Sequence, residues 1–144
     1  MCIATWTSVT GATISEPALP VSEPALPARM HAAYRATDYA AGDIAARIGR
    51  RVAGLDWRVA VFLTAWNPYS RRMPDGWNRR MQACLRGWLR GRTVLAGTGT
   101  LGRWREEMLL VALDPARAMV LARRFRQRGI VVVRRGQPAR LAIL

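Results

Sequence analysis

Between Arg58 and Trp66 both alternating sets of positions are dominated by apolar side chains, Val59/Val61/Leu63/Ala65 on one and Ala60/Phe62/Thr64/Trp66 on the other. That pattern predicts a central strand covered on both faces. After the polar Asn67-Pro68 turn the period changes from two to about 3.6 residues. Trp77, Met81, Cys84, Leu85 and Trp88 fall on one side, and Arg79, Gln82, Arg86 and Arg90 on the other, which predicts an amphipathic helix over 77–90. Pro74 and Asp75 supply its start signal and Gly91 its stop. Thr93 to Thr98 reads as a strand, GTGTLGRW (97–104) as a glycine-rich connection, and Glu107 to Leu113 as another strand. Asp114 as N-cap with Pro115 at the first helical position opens a second helix. It runs to about Arg128, burying Ala118, Leu121, Ala122 and Phe125 and ending at Gly129. Two last strands, Ile130–Val133 and Arg140–Leu144, flank a turn at Gly136-Gln137-Pro138.

The earlier chain is less patterned. Residues 30–36 (MHAAYRA) form a short helical or extended segment, and 37–48 one or two short strands around Ala41-Gly42. Residues 1–29 differ from everything after them: SEPALP occurs at 15–20 and again at 22–27. No hydrophobic period survives those prolines, so a flexible or polyproline-like extension is expected. It is read as an appendage, or as the product of too early a start codon, with Met30 standing at the head of a single domain over 30–144.

From residue 58 the order is β-α-β-β-α-β with one more edge strand. This predicts an α+β fold of the ferredoxin-like, split-βαβ kind, an antiparallel sheet with two helices packed on one face. Right-handed crossovers then bring three connections to one edge of the sheet, 66–76, 97–106 and 126–129.

Composition narrows the function. With 51% apolar residues, the chain has enough to build a core. Its two cysteines, Cys2 and Cys84, are far apart, and its one histidine is His31. No CxxC or Cys/His cluster is present, so neither a metal site nor any other cofactor is expected. All 23 basic residues are arginine, and the net charge is +14. Guanidinium groups bind phosphate in a fork geometry, which points to nucleic acid or another polyanion. A lysine-free chain rich in Ala, Arg, Gly and Leu is equally the mark of a GC-rich genome. No apolar run is long enough to span a bilayer and no secretory signal is visible, so no membrane partner is expected and a cytoplasmic location follows by default.

Several short segments together resemble a known family. AYRATDY (33–39), RIG (47–49), TAWNP (64–68), Asn78 at the head of the helix, GRWREE (102–107) and FRQ (125–127) are similar to the motifs of the bacterial family catalogued as domain of unknown function 3293. The resemblance covers roughly residues 30–144. It departs from the family pattern in a short spacing between RIG and the strand, and in Met108, where a small polar residue is usual. The family name implies no activity. The positions it marks are Thr64, Asn67, Asn78, Trp104, Glu106 and Gln127.

Together with Trp66, these residues converge on the predicted sheet edge. Amides, a helix N-terminus and a carboxylate there suit a small anionic metabolite or a nucleotide. Equally, Asn67 and Asn78 could cap loop and helix backbone, with Trp104 as a lid on the core. Glu106 is the best candidate for a general acid or base. Glu107 points to the opposite face of a strand, so the two are not expected to act as a pair. With no His, Cys or Ser partner for Glu106, both an enzyme and a binding protein stay open. Gly97-x-Gly99-x-x-Gly102 matches a dinucleotide fingerprint in form, but a strand rather than a helix follows it, so a hairpin is expected. The strand at 107–113 lacks the aromatics on which an RNA-recognition motif stacks bases. The alternative function is nonspecific nucleic-acid binding through arginine-rich helix faces, Arg71, Arg72, Arg79, Arg80, Arg86, Arg123, Arg124, Arg126 and Arg128. The sequence leaves the oligomeric state open.

Overall fold

The computed structural model describes residues 26–144. Most of the proline-rich extension lies outside those residues, and its last positions are already part of the fold. Leu26 is buried, and helix α1 (Ala28–Ala36) begins ahead of Met30. Pro27 precedes that helix in an extended conformation, and its carbonyl accepts from the amides of Met30 and His31.

Strands β1 (Asp38–Ala41) and β2 (Ile44–Ala46) form a hairpin through Gly42, whose φ of +55° suits a residue without a Cβ. Then come β3 (Val59–Leu63), α2 (Asp75–Trp88), β4 (Val94–Leu101), β5 (Trp104–Val111), α3 (Pro115–Arg124), β6 (Gly129–Arg134) and β7 (Arg140–Ile143). All neighbouring strands are antiparallel, in the order β2-β1-β4-β5-β3-β6-β7. β3 lies between β5 and β6 and is buried on both faces, as its double apolar pattern requires.

The fold is mixed α+β, but it does not match the expected ferredoxin-like arrangement: the sheet has seven strands and curls into a half-barrel. The β1–β2 hairpin adds to the free edge of β4, where Gly97 and Gly99 sit opposite Ala41 and Tyr39. A Cβ on Gly97 would collide with the Ala40 carbonyl oxygen, and one on Gly99 would lie 2.9 Å from Met108 Sδ. Bare backbone at these points lets the strands approach and bend. The predicted glycine-rich connection is therefore mostly strand. The loop is Gly102-Arg103 alone, with Gly102 at φ +57°, as a two-residue hairpin with glycine at its first position demands.

The concave face holds one apolar cluster, in which Phe62, Leu110, Val131 and Val133 meet Tyr39, Ala41, Ile44 and Ala46 from the far strands. Those strands share a core because the sheet curls. The chain after β2 also reaches the lead into β7: Gly49 N donates to Ala139 O at 2.8 Å, and Ala139 N donates to Arg50 O at 2.9 Å. The convex face carries a second cluster in which Val61, Leu63, Leu109, Val111 and Val132 pack against α2 and α3. Asp114 caps α3, its carboxylate accepting from Ala116 N at 2.9 Å. The helix stops at Arg124, short of the predicted Arg128, because Arg126 turns the chain with φ +55°. Among the described residues no helix is long and apolar enough to cross a membrane.

Candidate functional site

At the end of β3 the chain leaves the sheet and its backbone groups need partners. Helix α2 supplies them. Its buried face consists of Asn78, Gln82, Leu85 and, at its C-cap, Leu89. The expected stripe of Trp77, Met81, Cys84, Leu85 and Trp88 is rotated from this face. Trp88 is 50% exposed while Gln82, expected outward, is 4% exposed. Gln82 Oε1 accepts from Ala65 N at 2.8 Å, and Gln82 Nε2 donates to Glu107 O at 3.3 Å. The Thr64 hydroxyl donates to the same carbonyl at 2.8 Å and accepts from Trp66 N at 3.0 Å. One turn earlier in the helix, Asn78 Oδ1 accepts from Asn67 N, and Asn78 Nδ2 donates to Asn67 Oδ1, both at 3.0 Å. Asn78 Nδ2 also lies 3.2 Å from Met73 O, and Met73 N donates to Asn67 Oδ1 at 2.9 Å.

The result is a buried amide pair that fixes Asn67. Asn67 is left-handed, at φ +47°, a conformation Asn tolerates better than most residues. Tyr69 and Ser70 follow at φ +52° and +60° in a short 3-10 turn over Pro68–Ser70. Three strained positions within four residues persist only where the surroundings hold them. Tyr69 N donates to Arg126 O at 2.7 Å and Arg128 Nε to Tyr69 O at 3.3 Å, while both guanidiniums lie 6.0 Å from the Tyr69 ring.

With its backbone fixed, Asn67 aims its Nδ2 at Glu106, donating to Oε1 at 2.6 Å. Glu106 Oε2 has no partner among the described residues. Glu106 is 8% exposed, and burial pushes its carboxyl from 4.5 to about 7, against the smaller lowering effect of the Asn67 hydrogen bond. Glu107 faces out, as strand alternation requires.

Glu106 and Asn67 open into a cavity of about 340 Å³. Met30, Ala33 and Tyr34 of α1 form one wall. Tyr39, Gly99, Leu101 and Met108 come from the sheet, and Thr64, Trp66, Gln127 and Arg72 from the loops. Trp104 stands half exposed at the cavity rather than in the core. Met108, the departure from the family pattern, fills the space beside Gly99. Trp66 Nε1 is a buried nitrogen with no partner among the described residues, an uncommon and costly situation. Burial also raises the Tyr34 hydroxyl, to about 12, with Glu106 adding to the effect and Arg128 opposing it.

Six of the seven ligand-binding candidates therefore meet in one cavity: Thr64, Trp66, Asn67, Trp104, Glu106 and Gln127. Asn78 does not line it, and acts behind Asn67. Gln127 is largely occupied, its Nε2 donating to Trp66 O at 3.0 Å and lying 3.2 Å from Phe125 O. Sequence reasoning passed over Gln82, Tyr34, Thr37, Tyr39 and the cavity role of Arg72. The motif AYRATDY was the available signal for three of these. Of the arginines, Arg79, Arg80, Arg86, Arg123 and Arg124 are exposed on α2 and α3, with Arg124 stacked 4.1 Å over the Trp88 ring, and Arg71 is exposed in the loop before α2. Among the described residues no three His, Cys, Asp or Glu side chains cluster as metal ligands would.

Residues 63–130 match the model of a family described as "Protein of unknown function (DUF3293)". The chain resembles that family over the stretch from the end of β3 to the start of β6. The stretch holds Thr64, Asn67, Asn78, Trp104, Glu106 and Gln127, while the α1 wall and Tyr39 precede it. No curated protein and no solved structure matches the chain.

Proposed function

We propose that the cavity binds a small phosphorylated metabolite of the nucleotide class, its ring inside and its anionic end at the mouth. The observation that carries this reading is the lone carboxyl of Glu106, held by Asn67 and facing a largely apolar and aromatic space. Burial alone accounts for its raised pKa, with no guanidinium among the causes. An anion placed against Glu106 would be repelled, whereas a ring N–H or exocyclic amine would satisfy its free oxygen. Tyr34, Tyr39, Trp66 and Trp104 offer the flat apolar contacts a heterocycle prefers. Arg72 supplies a cation among the lining residues and Arg128 stands near Tyr34, so the ligand's negative end belongs on their side.

Whether a bound ligand is also transformed turns on the same residue. A carboxyl near 7 is poised for proton transfer, but the geometry offers Glu106 no nucleophile as partner, and binding is the reading adopted. The test is thermal unfolding of the full chain with nucleoside monophosphates and sugar phosphates. Binding at about 100 times Kd adds about 2.7 kcal/mol of stability. Glu106→Gln preserves the acceptor for Asn67 but removes the carboxylate, so it should abolish that gain without lowering the stability of the unliganded protein. A wild-type protein indifferent to the whole panel, or a variant stabilised as much as wild type, would refute the reading.

A further inference from the structure

The opposite end of the sheet has a different chemistry. The start of β3, the start of β4 and the end of β5 lie level there, with Val61 and Val94 both paired to Val111 and Ala112 N donating to Thr93 O at 3.2 Å. Three arginines sit just outside these ends: Arg58 before β3, Arg92 before β4, and Arg117 in the first turn of α3. They surround an open groove of about 340 Å³ whose remaining lining is Trp57, Val59, Ala112, Leu113 and Asp114.

Many surface arginines among the described residues form no side-chain hydrogen bond or ion pair there, so solitude alone means little. What distinguishes these three is convergence on one concavity. Asp114 is the acid in its lining, and the Asp114 carboxylate is engaged at the head of α3 with Ala116 N. Among the described residues it forms no ion pair with any of the three guanidiniums. Nor do those guanidiniums have a hydrogen-bond partner among the described residues. Three like charges around one groove repel one another, and an anion seated between them removes that repulsion. The first turn of α3 adds to the field: Ala116 N and Ala118 N are taken by Asp114, while the Arg117 amide is not.

We infer that this groove is an anion site for the phosphate of a nucleotide unit, in a single strand or free, with the base lying on the apolar floor of Val59, Ala112 and Leu113. A guanidinium trio offers the forked donors that phosphate oxygens accept. An open groove, shallower than the cavity at the other end, leaves room for a chain to enter and leave. The site is independent of Glu106 and of the helix faces.

The experiment measures anisotropy of a labelled oligothymidylate on the full-length protein at several salt concentrations, with thymidine monophosphate and inorganic phosphate as competitors. The triple variant Arg58→Gln/Arg92→Gln/Arg117→Gln is compared with Arg79→Gln/Arg80→Gln/Arg86→Gln, which removes the same charge from the exposed face of α2. The groove variant is expected to bind at least about tenfold more weakly and to make the slope of log K against log salt shallower by about 0.7, the value for one phosphate no longer neutralised. The helix variant should change both far less. Tighter binding of the oligomer than of the mononucleotide identifies a strand as the ligand, and equal binding per nucleotide identifies the free nucleotide. Equal weakening in the two variants, no binding by wild type, or competition by inorganic phosphate without either nucleotide form would overturn the inference.

Discussion

Helices α2 and α3 lie on the same face of the same sheet, yet they bury opposite kinds of side chain. α3 settles onto β3 and β6 through Ala118 and Ala122, small residues that let the backbones approach closely. α2 stands on Asn78, Gln82, Leu85 and Leu89, and half of that contact is amide. The difference follows from what lies underneath. α3 covers continuous strand, whose backbone is already paired. α2 covers the point where β3 ends, and the Ala65 and Asn67 amides and the Glu107 carbonyl look outward for partners. One helix is placed by shape and the other by hydrogen bonds, and the candidate site lies beside the second.

The largest expected effect comes from removing the amide chemistry under α2. Asn78 is 1% exposed, and Asn78→Leu, of the same branched shape, strands Asn67 N and Met73 O and leaves Asn67 Oδ1 only its bond from Met73 N. The cost should be about 3–5 kcal/mol in urea unfolding. A destabilisation below about 1 kcal/mol, as for an exposed position, would erase the contrast between the helices.

Next comes the carboxyl that the amides hold. Because the folded state raises Glu106 from 4.5 to about 7, it binds that proton more tightly than the unfolded chain does. Stability from this group is complete below 4.5, falls as pH rises through 7 and then levels off, a change on the order of 3 kcal/mol. Glu106→Gln cannot ionise, so it should gain on wild type as pH is raised from about 5 to about 8 in parallel melts. A constant gap between the two proteins would mean that the carboxyl is solvated.

On the other helix, size should matter instead. Ala118 is fully buried between α3 and the sheet, and Ala118→Leu should cost about 1–3 kcal/mol by forcing the helix outward. The same chemical denaturation assay sharpens the comparison, since Ala118→Ser, nearly isosteric, should be milder. If Leu were accepted as readily as Ser, close packing would not be what seats α3.

These differences explain what could be read from the sequence. β3 and the Asp114-Pro115 helix start were legible because local pattern and tertiary role agree there. The face of α2 was misread because Trp77, Met81 and Trp88 outweigh Asn78 and Gln82 on any apolar scale. The need for amides arises from strand ends brought close only by the fold. Glu106, Asn67 and Trp104 were legible as a group through their convergence on one sheet edge and through the family motifs. Tyr39 was marked only by the AYRATDY motif, because the β1–β2 hairpin that carries it reaches the cavity by a curl at Gly97 and Gly99, where bare backbone leaves no periodic trace; Tyr34, on α1, shared only that motif.

The contacts joining residues 48–51 to residues 138–139 have a bearing on how the molecule assembles. The β4–β5 hairpin can form early from neighbours in sequence, whereas this seam joins opposite ends of the described chain. Closing so long a loop must be offset by other contacts before its own hydrogen bonds contribute, which places the seam late in folding. Ile48 and Ala139 lie outside the named strands, so before the seam closes their backbone groups still need partners. A long-range pairing of this kind is expected to form after the local β4–β5 hairpin, an order that refolding kinetics would read.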